Sequence, residues 1–284
     1  SFSMGNQITF SGSGELDNGM TVALSFTLDE GDNVDASSAV TSSVFDGHSV
    51  TISSDALGTL KFSGEGADSA QNAVGDTAAG NIWDNFDTRV TGAAKLSESG
   101  MSTNSFHYTL PTLVDGVAVS ASYSPNKGQD ESDTAYAVVY TGVEGLTLSY
   151  GAGSSDGDAA GANAGTAANA DTTSMKASYA IGSFTLAYSD HDHDSNTDTS
   201  DQSASSWKVS YTVSDAVSLS YGSDSIDSAG TADTSDAEYT KIVASHTSGG
   251  MTVSANYQEA TEMSYTTAAN EDQEYYGLSL SFAF

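Results

Sequence analysis

The chain holds no cysteine, only 2 prolines, and only 7 lysines and arginines in 284 residues. Without cysteine there is neither a disulfide framework nor a thiolate metal site. The few basic residues stand against 38 Asp and Glu, for a formal charge of -31. No basic patch is left to neutralise phosphate, which excludes nucleic acid as a partner. No run approaches the roughly 18 consecutive apolar residues of a transmembrane helix. No fixed period of about 20–50 residues and no Gly-Asp calcium repeat appears, which argues against an acidic surface-layer or β-solenoid protein. No Ser-His-Asp or paired-carboxylate set stands out, as an outer-membrane lipase or protease barrel would need. No signal peptide is visible at Ser1, as expected of a processed chain or of one that begins inside the protein.

What is present is alternation. In the last eleven residues, EYYGLSLSFAF, the residues Tyr276, Leu278, Leu280, Phe282 and Phe284 are apolar, and Gly277, Ser279, Ser281 and Ala283 between them are small or polar. That is the period of a β-strand with one apolar face. The pattern recurs over residues 7–15 and 20–28 around the turn Asp17-Asn18-Gly19, over 48–54 and 59–65, and over 104–110 and 117–124. Four more hairpins are predicted at 134–141/146–152, 172–180/183–190, 204–212/216–223 and 237–247/251–259. An acidic composition usually signals disorder, but these apolar residues are ordered by period rather than scattered.

The connections sort by length. Residues 142–145, 181–182, 213–215 and 248–250 are short turns, whereas 29–46, 125–133, 153–171, 191–203, 224–235 and 260–273 are long and rich in Asp, Ser, Gly and Thr. Tight turns at one end and long polar loops at the other are the rhythm of a transmembrane barrel. Tyr123, Tyr150, Tyr188, Tyr221 and Tyr257 end strands that leave short turns, and Tyr140, Tyr179 and Tyr211 precede such turns. Two tyrosine rows near opposite strand ends fit interfacial girdles, with Phe284 expected at the opposite rim from the first row. The fold class predicted is all-β: one closed antiparallel transmembrane β-barrel over residues 1–284. About fifteen strands are visible, and closure favours an even number near sixteen, so a first strand is expected upstream of Ser1. From residue 66 to about 103 the alternation lapses, far beyond ordinary loop length.

ITFSGSGELDNGMTV (8–22), LGTLKFSGEGADSA (57–70) with the long segment behind it, and LSLSFAF at the end resemble a general bacterial porin of the sixteen-stranded trimeric type. The chain is most similar to the acidic porins of marine alphaproteobacteria. The resemblance implies a water-filled outer-membrane channel for small hydrophilic solutes, a homotrimer embedded among lipid and lipopolysaccharide, and no enzymatic activity. It also implies that 66–103 folds inward as the constriction loop, that 29–46 latches onto a neighbouring subunit, and that 274–284 is read during assembly.

Strand phase places Lys61, Lys176, Lys208 and Lys241 on the luminal face, opposite the apolar residues beside them. Facing them, the constriction loop offers Glu65, Asp68, Asp76, Asp84 and Asp87, with Arg89 inside the loop itself. Opposed charges across a narrow aqueous gap orient solutes and set ion preference. The excess of carboxylates predicts weak cation selectivity. Asp190, His191, Asp192, His193 and Asp194 have ligand types for a divalent cation, but a solvated outer loop is the favoured reading of them; no cofactor is expected, with Ca²⁺ bridging at acidic outer loops the alternative. The alternative readings are a structural acidic surface-layer or β-solenoid protein, or a barrel adhesin.

Overall fold

A computed structural model describes residues 7–28, 45–86, 101, 103–125, 132–155, 169–195, 201–229, 235–263, 265 and 272–283, with backbone alone at 45 and 46. Fifteen strands are present: β1 (Ile8–Glu15), β2 (Thr21–Leu28), β3 (Phe45–Ser54), β4 (Gly58–Glu65), β5 (Thr103–Thr109), β6 (Val117–Pro125) and β7 (Ser132–Tyr140). They continue as β8 (Leu146–Ser155), β9 (Ala170–Ile181), β10 (Phe184–Ser195), β11 (Gln202–Ser214), β12 (Val217–Ser228), β13 (Ala237–Ser248), β14 (Met251–Thr261) and β15 (Gln273–Phe282). Each pairs antiparallel with the next in chain order, forming a single sheet.

Register keeps most of the large apolar residues of the strands on one face. Phe10 lies opposite Phe26, Phe62 opposite Phe106, and Phe184 opposite Tyr211. Their ring centroids are 5.1, 5.1 and 4.6 Å apart. This face is bare: Leu278 is 79% and Tyr276 70% exposed. So large a contiguous apolar surface is a liability in water and is what a lipid-facing sheet requires. Aromatic heights step along the sheet. Tyr150 pairs with Met175, which pairs with Asp190, two residues beyond Tyr188. Strands tilted to a common axis produce this drift when residues at equal depth are followed from strand to strand.

The opposite face is polar, and part of it is covered from β6 to β14. After β4 the chain runs back over it as a segment containing two 3₁₀ turns, Ala70–Ala73 and Ile82–Asn85. Under this segment lies the apolar core: Ile82, Trp83 and Phe86 pack on Ala204, Ile226, Tyr239, Ala260 and Met263. Tyr239 meets Trp83 edge-on at 6.3 Å and Phe86 at 5.8 Å. The core thus sits between segment and sheet.

Several strands run beyond their alternating stretch, β10 to Ser195 and β12 to Ser228. The outward apolar series stops at Tyr188 and Tyr221, before those ends, so the period that marks a strand in sequence disappears while backbone pairing continues. One consequence is a correction. Residues 190–194 are not an outer loop but the end of β10, where His191 and His193 are buried on the polar face and Asp190, Asp192 and Asp194 alternate to the other side. A strand's two-residue period separates these imidazoles from these carboxylates. Among the described residues no group of three or more His, Asp or Glu is arranged to hold a metal ion.

Candidate pore constriction

The segment 66–86 is fastened to the polar face by side chains from successive strands. Ala70 N donates to Ser122 Oγ on β6 at 2.8 Å. The Gln71 amide donates to Ser174 Oγ at 3.1 Å and accepts from Thr172 Oγ1 at 2.8 Å, both on β9. Ala78 N donates to Ser189 Oγ on β10 at 2.8 Å, and Ala79 N to Ser206 Oγ on β11 at 2.9 Å. Ile82 N donates to Asp224 Oδ2 on β12 at 2.7 Å, and the Asn85 amide to Gln258 Oε1 on β14 at 3.1 Å. A buried backbone N–H must find a partner; here wall hydroxyls and one carboxylate supply it.

Close approach requires small wall residues. A Cβ on Gly151 would stand 3.0 Å from Gln71 Cγ and 3.1 Å from Val74 Cγ2. A Cβ on Gly222 would stand 2.9 Å from that of Ala79. The signal for these residues was present in the sequence. Ser122, Gly151, Ser189, Ser206 and Gly222 each adjoin an outward aromatic (Tyr123, Tyr150, Tyr188, Trp207 and Tyr221) and so occupy the polar face. Asp224 and Tyr239 gave no such signal, because nothing local marks a luminal carboxylate or an inward tyrosine.

The predicted site residues divide into a bare edge and a wall. Asp68, Asp76 and Asp84 are exposed along the free side of the segment. The Asn72 amide donates to Asp68 Oδ1 at 2.7 Å and the Asn81 amide to Asp76 Oδ1 at 3.0 Å. Burial raises the Asp84 carboxyl above its usual range, the Asp76 charge adds to this, and Lys241 opposes it. Glu65 is half-buried at the end of β4, opposite His48 and Thr103. Asp87 and Arg89 lie outside the described residues.

On the wall, Lys61, Lys176, Lys208 and Lys241 are all half-buried on the polar face. Lys208 and Lys241 are register partners of the same residue, Gly222, on which Ala79 rests. Lys176 Nζ donates to the backbone carbonyls of Asp76 at 2.7 Å and Thr77 at 3.3 Å. A ring nitrogen of His107, the partner of Lys61, is 3.3 Å from the Asp68 carbonyl. Of the expected girdle, Tyr123, Tyr150, Tyr188 and Tyr221 are exposed on the apolar face, whereas Tyr257 is partly covered by Tyr276 at 5.1 Å. Phe284 lies outside the described residues.

Residues 1–284, the whole chain, match the Gram-negative porin family. The chain belongs to that family. This porin resides in the bacterial outer membrane and has the fold of solved porins. One, the anion-selective porin from Comamonas acidovorans, is 16% identical with a TM-score of 0.61 over 92% of this chain and 80% of its own. A porin solved at 1.8 Å resolution is 18% identical with a TM-score of 0.64 over 98% and 92%. OmpT, an outer-membrane protein of Vibrio cholerae, is 14% identical with a TM-score of 0.62 over 97% and 88%. No curated protein sequence matches. The β-solenoid, surface-layer and adhesin readings have no support from a family match and a porin fold that both extend along the chain.

Proposed function

We propose that this porin closes into a barrel around an aqueous pore and passes small hydrophilic solutes and ions passively, with a weak preference for cations. Segment 66–103 is its constriction loop. The observation that carries the reading is the free edge of that segment, where Asp68, Asp76 and Asp84 stand exposed. The wall lysines are half-buried, and Lys176 spends its ammonium on loop carbonyls. The charge met by a solute at the narrowest point is therefore mainly negative. The Comamonas porin is named anion-selective; at 16% identity the shared fold leaves the sign of selectivity to each chain's own luminal side chains.

The decisive experiment is the zero-current potential of the purified protein in a planar bilayer under a KCl gradient. A potential of cation-selective sign is expected, and an anion-selective one would assign the field to the wall lysines. The outward tyrosines Tyr123, Tyr150, Tyr188, Tyr221 and Tyr257 serve as the interfacial girdle, and the assembled unit is a homotrimer. Crosslinking in mild detergent should give a three-subunit species; monomer alone would remove the trimer from the reading.

A further inference from the structure

Along the arc 70–82, three backbone N–H groups are held by neutral serine hydroxyls of the wall strands, at Ala70, Ala78 and Ala79. At Ile82 the acceptor is a carboxylate, Asp224, fully buried and 2.7 Å away. Ile82 opens a 3₁₀ turn, and the first N–H of a turn has no partner within it. Six residues earlier the sign reverses: Lys176 grips the Asp76 and Thr77 carbonyls. An anion on N–H and a cation on C=O are each in the favourable sense, and charge-assisted bonds are about twice as strong as neutral ones. Asp76 is itself held through its carbonyl and Asp84 lies two residues beyond Ile82, and the carboxylates of both stand exposed. Asp224 lies too deep under the segment to meet a solute.

We propose that Asp224 is a positioning residue: with Lys176 it clamps the 76–82 arc to the wall, and so fixes where Asp76 and Asp84 stand in the pore. The effect on permeation rests on the channel reading above; the clamp itself does not. Removing the carboxylate leaves a buried N–H without an acceptor and frees the arc to lift. D224N keeps an oxygen able to accept from Ile82 and should rescue most of the loss, which separates position from charge.

The test compares the full-length wild type, D224A, D224N and K176M by amide hydrogen exchange and by planar-bilayer recording. In D224A, exchange across residues 76–82 should rise about tenfold, as loss of one hydrogen bond to a charged group predicts, with the strands unchanged. Open-channel noise should rise and cation preference should fall, and D224N should return both toward wild type. Unchanged exchange, noise and reversal potential in D224A would overturn the proposal. If D224A fails to assemble, K176M loosens the same arc from its other end, and wild-type exchange there would overturn the clamp equally. If the wild type conducts nothing while exchange still responds to D224A, the clamp stands and the channel reading falls.

Discussion

At the scale of single residues, position within the site outweighs number. The chain carries 38 acidic residues, yet charges beyond a Debye length of about 8 Å are largely screened at physiological salt, so those at the constriction dominate. Lys61→Glu reverses a half-buried charge on the polar face and should increase cation preference, read as a larger reversal potential in a KCl gradient. Asp84 adds a pH dependence with a defined sign. Its carboxyl is raised by burial and by Asp76, so on acidification it is protonated before ordinary carboxylates. Cation preference should begin to fall at a higher pH than ordinary carboxylates alone would produce, and D84N should remove that first component of the titration. A reversal potential whose pH profile is identical in D84N would show that Asp84 does not sense the permeating ions.

At the scale of elements, the loop and the wall are one packed unit. The polar face is built of Ser, Thr, Ala and Gly because a backbone must lie on it, needing both hydroxyl partners and space. Gly151 illustrates the space requirement, since a Cβ there meets Gln71 and Val74. Gly151→Val should force the first 3₁₀ turn off β8 at about 1–3 kcal/mol of overpacking. The checks are altered single-channel conductance with unchanged β-sheet circular dichroism. Gly12→Ala is the control, because nothing lies within 4 Å of the added atom. The apolar core makes a second tie: Trp83 and Phe86 against Tyr239 bury aromatic surface at the far end of the same segment.

At the scale of the whole molecule, the net charge of -31 is a field rather than a site. As salt is diluted the Debye length grows toward about 30 Å at 0.01 M, and acidic strand ends far from the constriction come within reach. Cation selectivity should therefore strengthen on dilution. Selectivity that weakens or turns anionic at low salt would assign the long-range field to the wall lysines.

The elements were legible in the order of the amino acids. Period-two alternation located the strands to within a few residues over most of their length, because one face must be apolar for lipid, and that demand is written at every second position. The lapse after residue 65 located the segment that folds over the sheet. Tertiary structure alone decided what that segment touches. Asp224, Tyr239 and Gln258 lie more than 130 positions from the residues they hold, and their role follows from which strands face one another across the sheet. It also decided that the Asp-His run at 190–194 is divided between two faces of β10. Adjacent letters suggested a cluster; a strand's geometry pointed its members in opposite directions.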